Sequence, residues 1–122
     1  MPLVFALFAA LLIKHYIADF VLQPSWMLKG KGSLTAPGGY AHAAFHAIGS
    51  GVLVLIAGVT PGTAAAIAVA EFVIHFAIDY AKDRVTAKSD VERKPHLYWQ
   101  LHGLDQLLHQ LTYVGITYFA VV

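Results

Sequence analysis

Hydrophobic residues fall into four long segments, at about 3–22, 40–59, 62–80 and 104–122. Each is roughly 18–20 residues long, and a helix of ~20 residues spans the ~30 Å hydrocarbon layer of a bilayer. The chain shows no sustained alternation of apolar and polar residues, which membrane β-strands would require. The pattern therefore predicts an all-α fold, a four-helix transmembrane bundle with up-down topology in a single domain, residues 1–122.

The composition supports an integral membrane protein. Hydrophobic residues make up 58% of the chain and charged residues only 12%, about half the charged fraction of an average soluble domain. There are no cysteines, which excludes disulfide bonds and thiolate metal ligands. No basic residue precedes Lys14, so we interpret the first apolar segment as a retained helix and not as a cleaved signal peptide.

Basic residues outside the predicted helices are confined to two long loops, at about 23–39 and 81–103. They are Lys29, Lys31, Lys82, Arg84, Lys88, Arg93 and Lys94. Such loops stay cytoplasmic, so we expect a multi-pass protein of the bacterial inner membrane with both termini on the non-cytoplasmic side. Because the basic residues flank membrane segments, nucleic acid is not an expected partner. Within the second loop, residues 96–103 are predicted to form a short helix at the membrane interface.

Each of the four predicted helices carries a pair of polar side chains four residues apart. The pairs are His15 and Asp19, His42 and His46, His75 and Asp79, and Asp105 and His109. This spacing puts both members of a pair on one helix face, ~6 Å apart along the axis. In an up-down bundle all four pairs lie near the same, cytoplasmic side of the membrane. The sequence thus predicts one polar site that faces the cytoplasm.

Imidazole and carboxylate together are the ligands of divalent transition metals. We expect zinc first, with manganese, iron or nickel as alternatives. A catalytic zinc needs only three protein ligands, so eight candidates imply either an outer layer of residues or two ions. Two divalent cations would exceed the charge of three aspartates and favour an anionic substrate. A two-metal centre of this kind suits phosphoester hydrolysis, and Asp19, Asp79 and Asp105 are also candidates for a catalytic general base.

Four further polar residues are candidates for the outer layer around the metal. They are Gln23, Glu71, His102 and Gln106. Gln23 and Glu71 continue the polar stripes of helices one and three by one turn, and His102 lies three residues before Asp105. Gln106 is adjacent to Asp105 and is expected to face a different side of the helix. The alternative for Gln23 and Glu71 is a hydrogen bond between helices, and polar pairs in general can serve to hold a membrane bundle together.

In chain order, the motifs read H-x3-D-F-x2-Q, H-x3-H, H-x3-D-Y-x-K and D-Q-x2-H. Their residues are His15, Asp19, Phe20 and Gln23; His42 and His46; His75, Asp79, Tyr80 and Lys82; and Asp105, Gln106 and His109. This pattern resembles a family of small bacterial and phage membrane proteins that is catalogued as a domain of unknown function. The set of intramembrane histidines and aspartates is also similar to that of membrane-bound metal-dependent hydrolases. The first resemblance covers nearly the whole chain and implies no activity.

We therefore expect a membrane-embedded metal-dependent hydrolase that acts on a phosphoester or another anionic, lipid-like substrate from the cytoplasmic leaflet. Two alternatives remain open. One is a metal or proton transporter or channel subunit, although the outer halves of the helices offer few polar residues for a continuous path. The other is a non-enzymatic membrane component with a structural metal site. The lipid bilayer is the expected partner, and a homo-oligomer is left open.

Overall fold

The computed structural model describes residues 1–122 and is all-α, with no β-strand. Its helices are α1 (Pro2–Tyr16), α2 (Ser25–Gly30), α3 (Pro37–Ile56), α4 (Pro61–Lys88) and α5 (Pro95–Val121). A π-helical turn, Ile17–Val21, continues α1 without a break in the chain direction. Helices therefore account for almost the entire chain, in agreement with the predicted fold class.

Proline defines where the long helices begin. It occupies the first turn of α1, α3, α4 and α5, where its missing N–H has no helical partner to lose and its fixed φ suits the helix. The start of α4 is also capped, because the Thr60 hydroxyl accepts a hydrogen bond from the backbone N–H of Thr63 at 3.4 Å. The tight connection from α3 to α4 is made by Gly58, whose φ of 95° suits a residue without a side chain.

Two predicted boundaries are wrong. α4 continues eight residues beyond position 80 and ends at Lys88, and α5 begins nine residues before position 104. The expected interfacial helix at 96–103 is the first part of α5 and not a separate element. Residues 81–88 contain no proline or glycine, so nothing stops the helix there. Only residues 89–94 connect α4 to α5, and the predicted irregular loop at 23–39 contains α2.

Three helical segments are long and apolar enough to cross a membrane, by length and composition. They are Pro2–Val21, Pro37–Ile56 and Pro61–Lys88. α5 has 27 residues and carries Asp105, Gln106 and His109 near its middle, and it is not one of the three. The crossing of a fourth helix, and the side on which each terminus lies, stay predictions.

The distribution of side chains is the reverse of that in a water-soluble protein. Of the buried residues, ten are hydrophobic and ten are polar or charged, whereas large apolar side chains such as Phe5, Ile48 and Phe119 lie on the outside, 67–77% exposed. Buried charge on this scale is rare in a domain folded in water. An apolar exterior around a polar interior is the arrangement that a bilayer favours.

The four long helices pack side by side. α1 contacts α3 and α5, α4 contacts α3 and α5, and α2 packs on α3. Buried apolar residues form one cluster at one end of this arrangement, called here the apolar cluster. It consists of Leu7, Leu11, Val54, Ala64, Ile67, Tyr113 and Ile116. The polar pairs lie toward the other end.

α2 approaches α3 so closely that only glycine fits between them. A Cβ atom on Gly30 would lie 2.7 Å from the Cα atom of Gly38, and one on Gly38 would lie 2.3 Å from the carbonyl oxygen of Trp26. The contact fixes the chain that leaves α2 against the bundle. It thereby delivers Lys31, the next residue after α2, to the polar end of the long helices.

Candidate metal centre

One carboxylate from α1's π-helical turn is contacted by histidines from two helices. Asp19 Oδ1 lies 3.0 Å from His42 Nε2 and 2.9 Å from His46 Nε2, both on α3. Asp19 Oδ2 lies 3.3 Å from His15 Nε2, one turn earlier in its own helix. Asp19 lies within the π turn, and π turns inside α-helices are frequent at functional sites.

A second carboxylate, on α4, has a similar environment. Asp79 Oδ1 lies 3.1 Å from His109 Nε2 of α5, and Asp79 Oδ2 lies 3.3 Å from His75 Nε2 and 3.2 Å from Lys31 Nζ. His42 Nε2 is 3.6 Å from the same Oδ2. Because His42 is close to both Asp19 and Asp79, the two carboxylates belong to one continuous site.

The third aspartate lies at the edge of this site. Asp105 Oδ1 is 3.4 Å from His109 Nε2, and Asp105 Oδ2 accepts a hydrogen bond from the Gln106 side-chain amide at 3.1 Å. All eight predicted metal ligands therefore come together from α1, α3, α4 and α5. We call these eight residues the histidine cluster: His15, Asp19, His42, His46, His75, Asp79, Asp105 and His109.

The five histidines of the cluster share one orientation. Each directs its Nε2 atom at an aspartate, and each is at most 5% exposed. The His75 ring lies at the centre of the set, with its centroid 3.9 Å from that of His46 and 4.2 Å from that of His109. The same ring nitrogen of five residues from four helices thus points toward a common space.

Two sets of ligand atoms are compact enough to hold an ion, with all atoms of a set within 4.8 Å of one another. The first set is Asp19, His42, His46 and His75, and the second is His75, Asp79 and His109. His75 belongs to both. The Nε2 atom of His75 has a single lone pair and can bind only one ion. Each ion would therefore take its other ligands from the residues that the two sets do not share.

Three atoms of the cluster are buried without a hydrogen-bond partner: His42 Nε2, His75 Nε2 and Asp105 Oδ1. Their nearest polar neighbours are close enough but badly oriented for a hydrogen bond. An unpartnered buried polar atom costs about 1–3 kcal/mol, and natural proteins contain few of them without a reason. A cation held by the ligand sets would satisfy the lone pairs of His42 Nε2 and His75 Nε2, so the residues present fit a bound metal.

Behind the histidine cluster lies a second layer that the sequence did not reveal. The Tyr113 hydroxyl is 3.0 Å from His15 Nδ1 and 3.3 Å from His46 Nδ1. Tyr113 therefore contacts the far side of two rings whose Nε2 atoms face Asp19, as residues that orient metal-binding histidines do. A signal existed in the sequence, because Tyr113 continues the stripe of Asp105 and His109 by one further turn.

Lys14 is the other residue that the sequence analysis missed. Its ammonium group lies 2.9 Å from Glu71 Oε1 and donates a hydrogen bond to the His46 carbonyl oxygen at 3.2 Å. It also lies 3.3 Å from the Tyr113 hydroxyl. The Lys14–Glu71 ion pair is nearly inaccessible, with side chains 11% and 0% exposed. It separates the histidine cluster from the apolar cluster.

The four predicted outer-layer residues are placed differently from one another. Gln106 contacts the cluster directly, because its Oε1 atom is 3.0 Å from His15 Nε2. Glu71 pairs with Lys14. Gln23 donates to the carbonyl oxygen of Asp19 at 2.7 Å, within its own turn. His102 stacks on Tyr98 with 6.0 Å between ring centroids and belongs to neither ligand set.

The fold and the site together define a class: an all-α protein of membrane-type helices around a buried cluster of histidines and aspartates that could hold a metal ion. The model of one family, described as protein of unknown function (DUF3307), matches residues 7–122. The chain belongs to this family, which confirms the resemblance to a family of unknown function. No curated protein and no solved structure matches the chain, so the likeness to hydrolases rests on the site residues alone.

Proposed function

We propose that the protein is a membrane-embedded, metal-dependent hydrolase that acts on a phosphoester or another anionic amphiphile from the cytoplasmic leaflet. The observation that carries the proposal is the convergence on one buried space of four Nε2 atoms and two carboxylates in two ligand sets, with His15 and Asp105 beside them and with His42 Nε2 and His75 Nε2 unpartnered. Buried ionisable groups in membrane helices are costly and usually mark function.

Two adjacent ligand sets favour a centre with two divalent ions. The sets contain two different carboxylates, Asp19 and Asp79, and the histidines on either side of His75. Nitrogen and carboxylate ligands suit zinc, with manganese, iron or nickel as alternatives. Two such ions would supply Lewis-acid activation of a phosphoester.

The chain's own residues have distinct tasks in this proposal. Tyr113 holds the rings of His15 and His46 with their Nε2 atoms toward Asp19. Lys31, whose Nζ lies 3.2 Å from Asp79 Oδ2 with a side chain 14% exposed, would pair with a substrate phosphate. Asp105, whose Oδ1 atom is unpartnered, is the carboxylate best placed to accept a proton.

The orientation of the site follows from the basic residues. Lys31 reaches Asp79, so the histidine cluster lies at the end of the bundle that carries Lys29, Lys82 and the other basic residues. Basic residues stay cytoplasmic. We therefore place this end in the inner leaflet, both termini on the opposite side, and α5 across the membrane as a fourth span in an up-down bundle.

Metal analysis of the purified protein tests the first half of the proposal. We expect one to two equivalents of a transition metal per chain after gentle purification, with zinc in excess of the others. Less than about half an equivalent of any transition metal, even after incubation with excess metal, would contradict it. A chelator-treated sample reloaded with each metal in turn distinguishes zinc from manganese, iron and nickel.

Hydrolysis of lipid phosphates by protein reconstituted in vesicles tests the second half. The expected result is metal-dependent release of phosphate that His75→Ala abolishes. His102→Ala is the matched control, because His102 is a histidine of the same bundle that belongs to neither ligand set. Equal residual activity in the two variants would assign the activity to a contaminant and overturn the enzyme proposal.

One observation favours a structural metal site as the second candidate. Every histidine of the cluster is at most 5% exposed, as in a closed site in which protein residues fill all coordination positions. Cobalt substitution separates the two functions. A catalytic centre would give a spectrum that shifts when inorganic phosphate is added, and a closed structural site would give a spectrum that phosphate leaves unchanged.

A further inference from the structure

A separate cavity opens between α4 and α5, beside the apolar cluster. Its volume is about 410 Å³, within the ~300–1,000 Å³ of small-molecule sites. Ile67, Ile74, Ile116 and Phe119 supply most of its apolar wall. α4 is one of the helices that could cross a membrane, and in a membrane the molecules next to this cavity would be lipid chains.

Glu71 is the one charged residue in the wall of this cavity. Its side chain is fully buried, and its two carboxylate oxygens differ in their partners. Oε1 lies 2.9 Å from Lys14 Nζ, whereas Oε2 has no hydrogen-bond partner. A buried carboxylate oxygen without a hydrogen-bond donor is energetically costly. Glu71 Oε2 lacks one such donor.

The protein itself does not supply that donor. The cavity wall contains two hydroxyl groups, from Thr63 and Thr112. Thr112 donates to the Leu108 carbonyl oxygen at 2.9 Å, and Thr63 accepts from Thr60. Neither hydroxyl bonds to Glu71.

The net charge of the Lys14–Glu71 pair determines which kind of donor suits Glu71 Oε2. Lys14 already neutralises the Glu71 carboxylate, so the pair as a whole attracts no further cation. The complement of Oε2 is therefore an uncharged hydrogen-bond donor, of which a hydroxyl group is the simplest, and the complement of the rest of the wall is hydrocarbon.

We propose that this cavity binds an uncharged, hydroxyl-bearing amphiphile from the membrane. In the bound state the Glu71 side chain would turn Oε2, which is buried in the structure, toward the hydroxyl, and the hydrocarbon part would lie against Ile67, Ile74 and Phe119. This inference does not depend on the proposed enzyme, because none of the eight residues of the histidine cluster lines the cavity. It would stand if the protein bound no metal.

Competition with a photoreactive long-chain alcohol tests the proposal on the full chain in detergent. The probe is 1-dodecanol with a diazirine in its chain, and labelled peptides are located by mass spectrometry. We expect labelling of α4 and α5 that excess 1-dodecanol suppresses at least fivefold and that dodecyl methyl ether, which lacks the donor, does not. Equal suppression by alcohol and ether would overturn the proposal.

Gly115 provides a blocking variant with a matched control. A Cβ atom on Gly115, in the cavity wall, meets no atom within 4 Å, and the same holds for Gly103, which lies on the same helix away from the cavity. Gly115→Leu should reduce labelling at least fivefold, and Gly103→Leu should leave it unchanged. Equal labelling of the two variants would contradict the proposal. Bound metal, measured in the same samples, should be equal in both.

A paired substitution isolates the hydrogen bond. Lys14→Met combined with Glu71→Leu removes the acceptor and leaves no unpaired charge. In this variant dodecyl methyl ether should compete as well as 1-dodecanol. A preference for the alcohol that persists would show that Glu71 is not the acceptor, and if the variant does not fold, the two glycine variants still decide the outcome.

Discussion

The apolar cluster and the histidine cluster lie within one set of helices, but different forces hold them together. The apolar cluster is built from residues such as Leu11 and Val54 that could equally face lipid, because hydrocarbon chains are as apolar as leucine. The apolar cluster stabilises the helices through close packing. The histidine cluster cannot face lipid at all, since each buried polar atom needs a partner. The polar end therefore specifies how the helices assemble, and the apolar end fills the space that remains.

The largest difference between the two clusters should appear when His75 is replaced. His75→Ala removes the one ligand that both sets share and should abolish stoichiometric metal binding, measured as metal per chain after purification. Gln23→Ala is the control, because Gln23 bonds only to its own helical turn and should retain the metal. Full metal content in the histidine variant would place the ion elsewhere.

Substitutions in the Lys14–Glu71 ion pair, which separates the two clusters, should have nearly as large an effect. Lys14→Met leaves Glu71 charged and buried without a partner, and breaking a buried ion pair costs about 3–5 kcal/mol. We expect that loss in the free energy of unfolding, measured by denaturant titration in micelles. The double variant Lys14→Met with Glu71→Leu should recover most of it. Additive losses would show that the two side chains do not act as a pair.

A smaller effect is expected at Tyr113, which belongs to the apolar cluster and contacts the histidine cluster. Tyr113→Phe keeps the ring in the apolar cluster and removes the hydroxyl that contacts His15 and His46. Removing such a supporting group typically weakens metal affinity about 10–100-fold, measurable by competition with a chelator. Tyr118→Phe, an exposed tyrosine on the same helix, should leave the affinity unchanged. An equal loss in both variants would argue against an orienting role.

The smallest effect should come from the apolar cluster itself. Leu11→Ala leaves a cavity but transfers no side chain to water, so the loss of unfolding free energy should be about 1–2 kcal/mol, below the ~2–5 kcal/mol typical of soluble cores. Ile13→Ala, on the outer surface of the same helix and 60% exposed, should cost still less. Metal content should be normal in both variants, and a loss of metal in Leu11→Ala would show that the clusters are coupled.

The spacing of polar pairs was sufficient to predict the histidine cluster, because a helical period of 3.6 residues converts a separation of four into a shared face. The ends of α4 and α5 were mispredicted because charge was interpreted as loop, whereas residues such as Lys82 and Arg84 favour helix as well. Lys14 and Tyr113 were missed for another reason. Their partners lie on other helices, and a single sequence does not show which faces meet.

The π turn at Ile17–Val21 has a consequence that can be checked in other members of the family. A π turn is an α-helix with one surplus residue, since its hydrogen bonds span five residues, as from Leu22 N–H to the Ile17 carbonyl oxygen. Deleting one residue of this turn before Asp19 would restore a regular helix and rotate Asp19 by about 100° relative to His15. A relative that has H-x2-D in place of H-x3-D should therefore have no π turn. The one extra residue of the π turn therefore determines whether Asp19 contacts the histidines of α3.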